Sequence, residues 1–307
     1  MSFPSLIRAL IRAVAWGFCC AVLTGQSLSI TLDDGPNLSS TPRLSGDERN
    51  RRLLEAFRER GVRVVLFANG IRGGDSPEGI RWLEAWGRAG HRIGNHTYGH
   101  PNLEEVGLPR FKEEVLQLDR LIRGVPGYWP MLRFPYLREG RAGAERRAAQ
   151  AMLKDLGYGV APVSIPTYDW LFNERLQLLL QARPEADIAP IRTLYLRHLD
   201  EVLRGYRDLG DRLLGKDPVH TLLLHHNLLN ALVMPDLLRM LDANGWKVVG
   251  PEEAYRDPIY AEDLSTMGYS ESHLGALARK RRMLVAEVQR LEALLEGGKT
   301  ALKEHAP

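Results

Sequence analysis

The feature that most constrains this chain is a serial alternation: seven short β-rich runs, each followed by a longer amphipathic one. The runs expected as strands begin at Ser27–Leu32, Val62–Phe67, His91–Gly94 and Met131–Phe134, and continue at Tyr158–Val163, His220–His225 and Trp246–Val249. Between them, helices are predicted over Glu48–Arg60, from Pro77, over Pro109–Arg123, Ala142–Leu156 and Pro235–Asn244, with a short one from Glu252. Leu53, Leu54 and Phe57 share one helix face, as do Ile80, Leu83 and Trp86. Strand–helix units in series predict a parallel sheet, because right-handed crossovers place each helix outside it. The expected fold is therefore α/β, a distorted (β/α)7 barrel. An open doubly wound sheet is the competing arrangement.

Two segments exceed this pattern. A helical stretch over Phe172–Leu214, broken near Pro184 and Pro190, reads as an insertion (172–214). From Ser272 onward the composition is that of a charged helix, with Leu277, Leu284, Val288, Leu291 and Leu295 near heptad spacing. This tail is expected to pack on the barrel or to self-associate, with no chemistry of its own. The expected organisation is a barrel over 27–260 and a helical tail over 261–307.

At the N-terminus, Arg8 and Arg12 precede an apolar run from Ala13 to Leu23 and then Thr24-Gly25-Gln26-Ser27. That layout predicts a signal peptide over 1–26, with an apolar core too short to span a bilayer. The expected location is outside the cell or in the periplasm, with no stable membrane insertion after cleavage. Both cysteines, Cys19 and Cys20, fall in this run, so the mature chain would have no thiol chemistry. With 41 basic and 38 acidic residues the net charge is +3, which provides no basic field for nucleic acid.

Reactive residue types collect just after the expected strand ends: Asp33 and Asp34, His96 and His100, Arg133 to Tyr136, Asp169, and His225. In a (β/α) barrel that edge is where successive loops build sites. Adjacent carboxylates repel, so holding both in a cleft calls for a cation or a shared proton. Histidines at i and i+4, joined by one carboxylate, make a set that suits zinc or a neighbouring first-row metal and leaves a position open for water. One aspartate of the pair can ligate while the other serves as a base. Arg133, one residue inside its strand end, has a fork suited to holding a carboxylate. Period-2 alternation allows only one of His225 and His226 to face the barrel axis, and Thr221-Leu222-Leu223-Leu224 does not choose between them.

Together these stretches resemble the polysaccharide deacetylases of carbohydrate esterase family 4, which share the NodB homology domain. TLDDGP resembles the family's Thr-Phe-Asp-Asp-Gly-Pro motif with Leu32 in place of phenylalanine; HTYGHP, RFPY, YDW and LLLHH are similar to the four motifs that follow, in order, over residues 27–255. The resemblance implies a NodB-like barrel in which Asp34, His96 and His100 hold one divalent metal, Zn2+ in first place with Co2+ or Mn2+ as alternatives. It implies Asp33 as base oriented by Arg133, the Tyr136 amide at the oxyanion, His225 as acid supported by Asp169, and Trp170 walling the substrate groove. The implied reaction is hydrolysis of N-acetyl groups on an acetylated amino-sugar glycan; an O-acetyl xylan esterase and a non-catalytic glycan-binding protein are the alternatives. Three departures bear on the substrate: Pro166 stands at the fourth motif's first aspartate, His226 and Asn227 replace the residues usual after the acid, and the insertion is expected to reshape the groove.

Overall fold

The computed structural model describes residues 26–304; the segment read as a signal peptide lies outside them up to residue 25. Strand β1 (Ser27–Gly35) lies at the centre. Along one edge it pairs with β6 (His220–His225) from Leu28↔His220 to Asp33↔His225. Along the other, β7 (Lys247–Val248) pairs with its first residues and β2 (Val65–Ala68) with its last. Beyond β2 follow β3 (Arg92–Asn95), β4 (Tyr128–Leu132) and β5 (Gly159–Val160). All these pairings are parallel.

The fifth strand is shorter than expected because its chain changes partner. The Ala161 amide still donates to the Leu132 carbonyl, but Ile165 donates to Thr221 and accepts from Leu223. The segment after β5 thus crosses from β4 to β6 and curls the sheet into a distorted barrel.

Period-2 alternation sorts the side chains into two layers. Leu28, Ile30, Leu32, Leu66, Leu222 and Leu224 face outward into a large core shared with the helices. Val65, Phe67 and Ala161 form a smaller inner cluster with Trp129, Met131 and Tyr255. On β1 the inward positions are Ser29, Thr31 and Asp33, so the interior near the site is polar although β1 is buried on both faces.

Helices α1 (Gly46–Glu59), α2 (Pro77–Arg88), α3 (Leu103–Ile122) and α4 (Ala144–Asp155) cover one arc of the barrel. Ser45 and Ser76 cap α1 and α2 through their side-chain oxygens. Helix α3 begins before its expected start at Pro109, but Gly107 at φ 76° breaks the first turn, so the regular part opens near that proline. The insertion forms α5 (Asp169–Ala182) and α6 (Ala189–Leu214). Helix α7 (Leu228–Ala243) starts seven residues before Pro235. The Asn227 side chain accepts the Asn230 amide and caps it, and Pro235 is carried inside the helix. After α8 (Pro251–Ala254), the tail forms two helices, α9 (His273–Lys280) and α10 (Val285–Glu304). Their Leu274, Leu277, Val288, Leu291 and Leu295 are buried in the same core as Leu199, Val202 and Leu209 of α6. No described helix is long and apolar enough to cross a membrane.

Candidate active site

The barrel edge formed by strand C-termini holds a cleft of about 410 Å3 lined by Asp33, Asp34, His96, His100, Tyr136, Trp170 and His225, among others. Consecutive residues of a strand point to opposite faces, so Asp33 and Asp34 would diverge in a regular β1. The pairing with β2 slips between Leu32 and Gly35, and Asp34 sits at φ 65°. The slip turns both carboxylates into the cleft. His100, Tyr136 and Tyr168 also have φ between 56° and 58° and line the same cleft. Left-handed backbone at non-glycine residues persists only where the surroundings over-determine it, and such positions gather at functional sites.

Asp34, His96 and His100 each offer one ligand atom, all within 4.8 Å of one another. The His96 Nδ1–H donates to the Arg133 carbonyl at 2.8 Å, which leaves Nε2 with its lone pair toward the cleft. Nε2 of His100 lies 3.2 Å from Nε2 of His96 and 3.8 Å from Asp34 Oδ1. Burial pushes both imidazoles down to about 4, so at neutral pH they are uncharged donors of electron pairs. Burial also pushes the Asp34 carboxyl up, but His96, His100, His225 and Arg72 outweigh it and leave it below its ordinary value. Two lone pairs facing each other beside a carboxylate whose Oδ1 has no hydrogen-bond partner fit a divalent cation. Two nitrogens and one oxygen suit zinc or a first-row neighbour.

Asp33 is 3% exposed. Its Oδ2 is 3.7 Å from His96 Nε2 and 3.9 Å from Arg133 Nη1, and its Oδ1 has no partner. Burial pushes its carboxyl up to about 6 against the opposing charge of Arg133. That value keeps it largely ionised at neutral pH yet makes it a better proton acceptor than an ordinary aspartate. Arg133 is fully buried. Its Nη2 donates to Thr31 Oγ1 at 3.2 Å and to the Tyr255 hydroxyl at 3.1 Å, and its Cζ stacks 4.8 Å from the Phe67 ring centroid.

Across the cleft, His225 Nδ1–H donates to Asp169 Oδ1 at 2.7 Å, and the His225 amide donates to Oδ2 at 2.9 Å. Asn227 and Asn230 also donate to Oδ2, at 2.9 and 2.6 Å. Burial lowers the His225 pKa, but the Asp169 charge and hydrogen bond, followed by Asp34 and Asp33, outweigh it and push it up to about 9. His225 Nε2 is thus a protonated donor at neutral pH.

The structure separates the two histidines that the sequence left undecided. Thr221, Leu223 and His225 face inward, while His226 turns to the outer layer, where its Nε2 bonds Asn50 at 3.0 Å and its ring packs 5.9 Å from Trp86. Burial and Arg49 push His226 down to about 3, so it takes no part in the cleft. Thr221, a polar residue in phase with His225, was the available signal. Among the described residues, none of the insertion (172–214) lines the cleft; Trp170, in the first turn of α5, lies just ahead of it. The unexpected wall comes from the C-terminal segment, through Tyr269 and Glu271, which no motif marked. Arg72, in the middle of the turn after β2, and Asn227, Asn230 and Tyr255 were also missed. Only their contacts, not their spacing, connect them to the site.

Residues 22–161 match the family described as polysaccharide deacetylase. The peptidoglycan-N-acetylglucosamine deacetylase of Bacillus cereus is 29% identical over 110 residues, 36% of each chain. The chitin deacetylase of Colletotrichum lindemuthianum is 30% identical over 153 residues, 48% of this chain and 54% of the relative. The chain thus spans between about a third and about half of the length of these two relatives. Among solved structures, a pseudoenzyme of carbohydrate esterase family 4 from Bacillus anthracis superposes with a TM-score of 0.52 at 18% identity, over 75% of this chain and 66% of the other. Over residues 22–161, a little under half of its length, this chain is similar to the polysaccharide deacetylase family, and its barrel has the fold of the solved family-4 structure.

Proposed function

We propose that the protein is an exported, divalent-metal-dependent hydrolase that removes N-acetyl groups from an amino-sugar glycan of the peptidoglycan, chitin or poly-N-acetylglucosamine type. The observation that carries this reading is the meeting, in one cleft, of the Asp34–His96–His100 donor set with a raised carboxyl on one side and a protonated imidazole on the other. The domain arrangement read from the sequence, with residues 27–260 as the hydrolase and 261–307 as a helical appendage, belongs to the same proposal.

A cation held by Asp34, His96 and His100, zinc in first place, would supply Lewis acidity toward water and the acetyl carbonyl. Asp33 takes the proton of the attacking water as the O–C bond forms, and Arg133 fixes the carboxylate for that transfer. The backbone N–H of Tyr136 donates to the oxygen that gains negative charge. His225 Nε2 gives its proton to the nitrogen as the C–N bond breaks, and Asp169 stabilises the imidazolium beforehand. Acetate and a free amine leave, and the two proton transfers balance. Trp170 walls the groove.

The reading is tested by loading the protein with Zn2+, Co2+ or Mn2+ and assaying acetate release from N-acetylglucosamine oligomers. Release supports it. Cleavage of acetylated xylan with no release from any N-acetyl glycan would replace it with an ester hydrolase.

A further inference from the structure

The C-terminal segment between α8 and α9 reaches the same cleft. Among the described residues, the exposed aromatic side chains are Tyr136, Trp170 and Tyr269, at 59%, 44% and 39%, and all three line it. Leaving large aromatic faces in water is unfavourable, and their collection at one cleft marks a surface that a ligand covers.

Tyr269 is held in place from several sides. The Arg138 guanidinium stacks 3.6 Å from its ring centroid, and Arg279 Nη1 donates to its carbonyl at 3.2 Å. A few residues on, Ser272 Oγ donates to the Ser164 carbonyl at 2.7 Å and the His273 amide to Val163 at 2.6 Å. These bonds tie the segment to the stretch that closes the barrel. Glu271 lies in the same cleft near the Tyr168 and Tyr269 hydroxyls, and burial, then its proximity, raises the titration of both. Among the described residues it is the one acid lining the cleft besides Asp33 and Asp34. A carboxyl group carries several lone-pair positions, so two neighbouring tyrosine hydroxyls leave acceptor capacity for a ligand.

We infer that Tyr269 and Glu271 form a second sugar subsite, in which a neighbouring ring of the glycan stacks on Tyr269 while its hydroxyl or amide donors bond the Glu271 carboxylate. The inference rests on the reading of this cleft as a glycan site and narrows it: the ligand is an oligomer or polymer rather than a single sugar. A pyranose presents an apolar C–H face and a rim of donors, which matches an aromatic ring beside a fixed acceptor. Sites of this kind are built from an apolar lining and a few convergent polar groups.

The test is calorimetric binding of N-acetylglucosamine and of its linear β-1,4 tetramer to the full chain, to Tyr269→Ala and to Glu271→Gln. The original protein is expected to favour the tetramer over the monomer by roughly tenfold or more, as one additional modest contact would give. Each substitution is expected to reduce that ratio several-fold. Glu271→Gln keeps the side-chain volume, so it reports even if Tyr269→Ala fails to fold. An unchanged ratio in Glu271→Gln, or equal weakening of both ligands, would overturn the subsite. Acetate release by the original protein is recorded alongside. A reduced ratio without any acetate would support the subsite and count against the deacetylase reading alone.

Discussion

The Asp169 carboxylate holds His225 twice, through the imidazole Nδ1–H at 2.7 Å and through the backbone amide at 2.9 Å. It fixes both the tautomer and the charge of the ring, because its own pKa is depressed: burial raises it, but the His225 charge and hydrogen bonds outweigh burial. His225, pushed up to about 9, carries its proton at neutral pH and loses it as pH rises through about 9. Its charged form therefore favours the folded state fully below the unfolded value near 6.5, and this contribution disappears through that same alkaline window. Activity should decline on the alkaline side accordingly. In Asp169→Asn the largest raising influence is gone, burial is unopposed, and the alkaline limb of a kcat/KM profile should move toward lower pH by at least one unit. An unmoved limb would assign that limb to another group.

Asp33 and Asp34 are neighbours in sequence with separate duties. Asp33→Asn should lower kcat roughly 10²–10⁴-fold, the usual worth of a general base, while the bound metal measured by elemental analysis is unchanged. His96→Ala should lose the metal itself. Loss of metal in Asp33→Asn would show that the duties of the two aspartates are not divided in this way.

The donor set should also register in stability. A ligand bound only by the folded state at 100 times its Kd adds about 2.7 kcal/mol. Zn2+ should therefore raise the melting temperature of the protein, chelation should reverse the rise, and His100→Ala should abolish it.

Leu291 of α10 presses on α6 so closely that a Cβ at Gly205 would lie 2.3 Å from its Cδ2. Leu291→Ala should cost about 2–5 kcal/mol in denaturant unfolding, as burial of a leucine in a shared core requires. A loss under 1 kcal/mol would mean that α10 contributes little to the fold.

The barrel and the cleft residues on strand ends were legible because they follow local rules. Alternation of strand and helix marks the sheet, and a strand C-terminus marks the site edge, so Asp33, His96, Arg133 and His225 fall where elementary patterning puts them. What local rules do not carry is partner exchange and long-range contact. Gly159–Val160 is a short strand because Ile165 has moved to Thr221 and Leu223. Asp34 faces the cleft only because its backbone is left-handed. Asn230 lies ahead of the helix expected from Pro235, yet it sits in the first turn of α7 and bonds Asp169 across the chain, and the Tyr195 hydroxyl holds its Oδ1 at 2.8 Å. Tyr269 and Glu271 lie just before the charged stretch that the composition marks from Ser272, and only the fold brings them beside Tyr168 and Trp170.

The most direct test of the central claim is the stoichiometry of products from a metal-loaded sample acting on N-acetylglucosamine oligomers. Acetate and primary amine should appear in equal amounts, stop on chelation and resume when the divalent cation is restored. Acetate appearing without new amine, or neither product appearing at any metal loading, would contradict it.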